Sequence, residues 1–243
     1  MTLAATIYLM GGMTSGPGTA LGQLGWFIGA WVLMMAAMML PSVAPMVLTF
    51  ARVTAERAKK GQAAFVPTWM FVLGYFAAWT VFGLAAYFID QLIRSLGLAW
   101  LAWDRQGPIV AGGAIAIAGL YQLTPFKRAC LTHCRSPLNF FLERWREGAG
   151  GAVLMGFHHG LYCVGCCWGL MLVLFAVGVM SLFWMACIAV LIFAEKVFRI
   201  GARLAPAFGV ALIAFGLWIA IAPASVPGLQ SHGQKAEMPG MKM

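Results

Sequence analysis

The stretch His158-His159-Gly160-Leu161-Tyr162-Cys163-Val164-Gly165-Cys166-Cys167 sets three thiols and two imidazoles inside an otherwise apolar segment, 152–177, long enough to cross a bilayer. Lipid cannot hydrate such groups, so any fold that contains them must bring them partners. At 100° per residue, Met155, His159, Cys163, Cys166, Cys167 and Met171 fall within roughly 160° of one another on a helix. One helix face therefore carries nitrogen and sulfur donors. That is the ligand chemistry of a soft or borderline metal such as Cu(I) or Zn(II).

The rest of the chain is as apolar as this segment requires. Of its 243 residues 62% are hydrophobic and only 9% charged, the composition of an integral membrane protein. The predicted fold is all-α, a polytopic transmembrane bundle of about six spans near 23–50, 64–89, 107–125, 152–177, 179–198 and 204–222. The connections after the first, third and fifth of these hold twelve basic residues, from Arg52 to Arg203, against four on the other side, Arg94, Arg105, Lys235 and Lys242. Positive charge collects in cytoplasmic loops, so the reading puts both termini outside the cytoplasm. Basic loops facing anionic lipid account for the net charge of +9, and no nucleic acid is implied.

Three segments follow. Residues 1–22, interrupted by Gly11-Gly12 and Ser15-Gly16-Pro17-Gly18, are expected to be an extracytoplasmic or interfacial segment, or the remnant of a further span; they lack a signal peptide's basic start. Residues 23–222 form one transmembrane domain. Residues 223–243 are expected to be a disordered outer tail, whose His232, Met238, Met241 and Met243 give it the sparse Met/His composition that picks up copper where thiols would be oxidised.

Two further sulfur groups stand out. In the first span Met34, Met35, Met38 and Met39 make two i,i+4 pairs within about 140° of arc, a pattern that serves either core packing or a soft metal. Counted at 1.5 Å per residue from opposite faces, they lie roughly 16–24 Å deep and His159 to Cys167 roughly 10–22 Å deep, so the two sets overlap in a core about 30 Å thick. Pro41 and Pro45, just below the methionines, each remove a backbone donor and disturb that helix. At the end of the third span Cys130 and Cys134 are again i,i+4, beside His133. Placed in the reducing cytoplasm among Lys127, Arg128 and Arg135, they are suited to bind metal as a loading or exit station rather than to form a disulfide. Cys187 has no polar company and is expected only to pack.

The acids narrow the field. Asp90 and Glu195 fall at span ends and the others in loops or the tail, so no mid-membrane oxygen cage for a hard ion and no proton-coupling carboxylate is evident. There is no phosphate-binding loop.

The run Tyr121-Gln-Leu-Thr-Pro-x-Lys-x-x-Cys-Leu-x-x-Cys-Arg-x-Pro137, with His159-Gly-x-Tyr-Cys-Val-Gly-Cys-Cys-Trp-x-Leu-Met171 and Trp31-x-x-Met-x-x-Ala-Met-Met-x-Pro41-Ser, resembles the bacterial predicted metal-binding integral membrane protein family, domain of unknown function 2182. The similarity covers roughly residues 23 to 220. It implies metal binding, often suggested to be copper, with Cys130, Cys134, His159, Cys163, Cys166 and Cys167 and Met34, Met35, Met38 and Met39 as candidate ligands.

Three functions fit these residues. The favoured one is a bacterial inner-membrane protein that binds Cu(I) between the first and fourth spans and exchanges it with a metallochaperone or a metalloenzyme under assembly. A second is a thiol–disulfide oxidoreductase using Cys163-Val-Gly-Cys166, the only enzyme among the three. The third is an assembly subunit whose His and Cys residues close a structural Zn(II) site.

Overall fold

The computed structural model describes residues 23–62, 65–96, 103–177, 182–198 and 200–222, and every regular element among them is a helix. In chain order these are α1 (Leu24–Lys59), α2 (Thr68–Ser95), α3 (Trp103–Gln122), α4 (Pro125–Arg135), α5 (Pro137–Arg144), α6 (Gly148–Val177), α7 (Leu182–Val197) and α8 (Gly201–Ile221). The expectations for residues 1–22 and for the tail lie outside the described residues.

Four helical stretches, Leu24–Lys59, Thr68–Ile93, Gly148–Leu174 and Arg203–Ile221, are long and apolar enough to cross a membrane. A fifth crossing arises if Ile109–Gln122 and Pro125–Arg135, which meet at 65°, count as one. The six expected spans thus become four or five among the described residues. The difference has two sources. The expected fifth span corresponds to α7, whose 16 residues rise about 24 Å, short of a full hydrocarbon core. The expected third span turns sharply at Thr124-Pro125.

That turn is written locally. A residue before proline avoids the helical region, and Thr124 is extended at φ −72°, ψ 148°. Its hydroxyl accepts from the Lys127 backbone N–H at 3.3 Å and donates to the Tyr121 carbonyl at 2.7 Å, while Pro125 fills the first position of α4, where an N–H is not needed. Thr124→Ala should therefore cost about 1 kcal/mol of stability. Thermal unfolding in detergent measures this, and an unchanged midpoint would show that the cap does not set the bend.

Pro41 and Pro45 do not end α1, which is continuous through both. Two hydroxyls nearby bond back into the same helix: Ser42 donates to the Met39 carbonyl at 2.9 Å and Thr49 to that of Pro45 at 2.7 Å. The disturbance expected there is absorbed within the helix.

The bundle is held by close backbone approach. α2 packs against α6 where Gly74 and Gly156 face each other's helix: a Cβ on Gly156 would overlap the Phe71 carbonyl, and one on Gly74 that of Val153. Small residues at such crossings let helices associate through van der Waals packing, the force that remains when lipid is as apolar as the side chains. α3 and α8 pair in the same way, with a Cβ on Gly216 reaching 2.5 Å from the Gly112 carbonyl. The outer surface is correspondingly greasy, with Leu48, Val81, Ile117, Val190 and Ile221 all exposed. That surface suits lipid rather than water.

α1 packs chiefly on α2 and α7, whereas α6 packs chiefly on α2, α3 and α4. Met34, Met35, Met38 and Met39 are all buried, in the same hydrophobic core as the α6 cysteines. The first and fourth spans therefore share a core through α2 and α7 as common neighbours.

Candidate metal centre

Cys163, Cys166 and Cys167 lie at i, i+3 and i+4 on α6 and so project from one face. Their three sulfurs all lie within 4.8 Å of one another. Cys166 Sγ is 3.3 Å from Cys167 Sγ, and it also donates to the Cys163 carbonyl at 3.2 Å. All three side chains are almost completely buried. Sulfurs clustered this closely could hold a metal ion between them.

Two partners from other helices complete the surroundings. Lys196, on α7, points its ammonium at Cys163 Sγ from 2.8 Å, and Tyr75, on α2, places its phenol oxygen 3.0 Å from the same sulfur. Both are buried. A cation beside grouped sulfurs offsets the negative charge that thiolates would bring into low dielectric. Sequence reasoning missed both residues and put Lys196 in a cytoplasmic connection. One signal was present: Met185, Ile188 and Ile192 form a buried stripe on α7 that continues into Glu195 and Lys196.

His159 lies one turn before Cys163 but outside the three-sulfur group. Its imidazole is buried against Tyr75, at a centroid distance of 6.0 Å, and Phe140, at 5.4 Å. Its Nδ1 has no hydrogen-bond partner. A buried ring nitrogen without a partner is costly, and a metal or a water would relieve it.

The cysteines at the α3–α4 junction divide. Cys134 is half-buried, and its sulfur lies 3.8 Å from Cys166 Sγ. Cys130 is buried against Gly165, where a Cβ would come within 2.9 Å of its sulfur. Two further contacts hold this junction to α6: from the end of α3 the Tyr121 hydroxyl donates to the Gly165 carbonyl, and from α4 His133 stacks on Tyr162 at 4.6 Å with the rings 7° from parallel. Cys187, expected to pack, is exposed on α7.

Beside the sulfurs lies a second buried polar group. Lys127 Nζ and Glu195 Oε2 form an ion pair at 2.7 Å with both side chains almost fully buried, and Gln122 Nε2 donates to Glu195 Oε1 at 3.3 Å. Lys127, expected in a basic cytoplasmic connection, is instead buried in the bundle, and Glu195 does fall near a helix end, as expected, but is buried there too.

No curated protein and no solved structure matches the chain. A family does: residues 28–219 match PpoB2, described as a copper chaperone. Because that match takes in the α1 methionines, both cysteine groups and part of every described helix, the chain belongs to the PpoB2 copper chaperone family.

Proposed function

We propose that this chain is an integral membrane copper chaperone that holds Cu(I) on Cys163, Cys166 and Cys167 and delivers it to a metalloprotein under assembly. The observation that carries the reading is the convergence of three buried sulfurs within 4.8 Å. Thiolates are soft ligands and favour Cu(I), which accepts two or three of them. Charge supports the same choice. Cu(I) with two thiolates carries one negative charge, and the Lys196 ammonium, 2.8 Å from Cys163 Sγ, brings the buried set to neutrality. The third thiol then serves as an exchange ligand.

In the fuller form of this reading the bent α3–α4 pair and the shorter α7 each count as a crossing, so that the chain crosses a bacterial inner membrane six times with both termini outside the cytoplasm. Met34, Met35, Met38 and Met39 relay copper from the outer side, where the Met/His tail collects it, and His159 is an auxiliary ligand. Cys130 and Cys134 stand at the cytoplasmic end.

Zn(II) is the competing cargo, and it prefers a closed tetrahedral shell of four ligands. Anaerobic loading of the purified protein followed by metal analysis and X-ray absorption separates the two. The expected result is stoichiometric Cu(I) in a low-coordinate, all-sulfur shell. Stoichiometric zinc in a four-ligand shell that copper does not displace would overturn the reading.

A further inference from the structure

The geometry points to Cys134 as the handover ligand: the sulfur that takes copper from the buried α6 cysteines and presents it to an acceptor at the α4–α5 end of the bundle. The inference rests on copper being held by those cysteines and adds the route by which it leaves.

A cargo bound only by Cys163, Cys166 and Cys167 is sealed in, since none of the three is reachable from outside. Release of a free Cu(I) ion would break every sulfur bond before making another. Stepwise exchange avoids this if one accessible sulfur lies within reach of the buried set. Cys134 meets both conditions. It is only half-buried, and its sulfur is 3.8 Å from Cys166 Sγ, hardly farther than the 3.3 Å between Cys166 and Cys167. The sulfurs thus form a ladder from Cys163 and Cys167 through Cys166 to Cys134. Cys130, one turn earlier on α4, is turned onto Gly165 and is buried, so it does not extend the ladder outward.

The surroundings of Cys134 suit a docking edge. Tyr162 precedes Cys166 by one turn on α6, so its ring flanks the outer end of the ladder. It is pinned on one side by His133 and on the other by Arg144, whose Nη2 donates to the phenol oxygen at 2.9 Å. Arg144 is exposed, as is Arg128 on α4. An acceptor with thiol ligands set in an acidic surface fits this edge.

The exchange balances without redox chemistry. The Cys134 thiol gives up its proton as its sulfur bonds to copper, the bond to Cys163 or Cys167 breaks, and the departing sulfur takes up a proton. Copper stays Cu(I) throughout. An acceptor thiolate then displaces Cys166 in the same way.

The test uses the full-length protein loaded with Cu(I) and bathocuproine disulfonate, an anionic chelator too bulky to enter the bundle. Cys134→Ser should leave equilibrium copper stoichiometry intact and slow transfer to the chelator by at least about tenfold, while Cys187→Ser, at an exposed thiol outside the ladder, leaves the rate unchanged. In that Cys187→Ser background, alkylating Cys134 of the loaded protein with a charged maleimide should trap the copper. A wild-type rate after either treatment of Cys134, or equal slowing by Cys187→Ser alone, overturns the handover role while leaving copper binding in place. A wild-type protein that takes up no Cu(I) would instead overturn the functional reading, and the handover with it.

Discussion

Replacing Cys163 and Cys166 together by serine should lower Cu(I) affinity by at least about a thousandfold, or roughly 4 kcal/mol. Only Cys167 of the three clustered sulfurs would remain, and a lone thiolate supplies half of the smallest shell that Cu(I) accepts. Hydroxyls do not compensate, because they are hard donors. Serine is the informative replacement, since its oxygen can still accept from Lys196 Nζ, which now faces Cys163 Sγ at 2.8 Å. Alanine would leave that buried ammonium facing no acceptor and would mix a folding defect into the binding measurement. Competition titration against a chelator of known affinity gives the number, with thermal unfolding of the apo protein as the control. Undiminished affinity in a folded double-serine variant would place the copper site elsewhere, and the α1 methionines would be the next donors to replace.

What could be read from the sequence was what is local. The i, i+3, i+4 placement of Cys163, Cys166 and Cys167 follows from helical periodicity alone, so the grouped sulfurs were foreseeable. So was the all-helical fold, because long apolar runs in lipid must satisfy their backbone internally. Contacts between helices were another matter. That Tyr75 and Lys196 meet Cys163 depends on how α2 and α7 rotate and how deep they sit, and neither follows from its own sequence. Lys196 misled for a good reason, since a lysine at the end of an apolar helix ordinarily snorkels to the interface. The pair Cys130 and Cys134 was visible as a pair, but only packing of α4 on α6 decides which one reaches Cys166. For the α1 methionines the shared face was right and so was burial, yet α1 turns chiefly to α2 and α7. Six spans are not reached among the described residues, because α7 is short and because Thr124-Pro125, read as the end of a helix, is a bend that continues into α4.

Glu195→Ala should destabilise the protein by about 3–5 kcal/mol, the cost of leaving a buried charge unpaired. Lys127, with its side chain 1% exposed, would keep its ammonium inside the bundle with no carboxylate at 2.7 Å, and Gln122 Nε2 would lose its acceptor as well. Removing both charges with Lys127→Met and Glu195→Leu should restore most of that loss, since well-packed apolar residues often equal or exceed a buried ion pair. The two results together separate a charge effect from a packing effect. The pair also bears on the metal centre. It fastens α4 to α7 directly beside Lys196, and Lys196 reaches Cys163 only while α7 stays docked. Glu195→Ala should accordingly weaken Cu(I) binding although Glu195 is outside the sulfur group, and the double apolar variant should recover affinity along with stability. Thermal unfolding and copper competition on the same preparations decide the matter. If stability returns in the double variant but copper affinity does not, the ion pair acts on the sulfurs through its charge, and docking of α7 is not what it contributes.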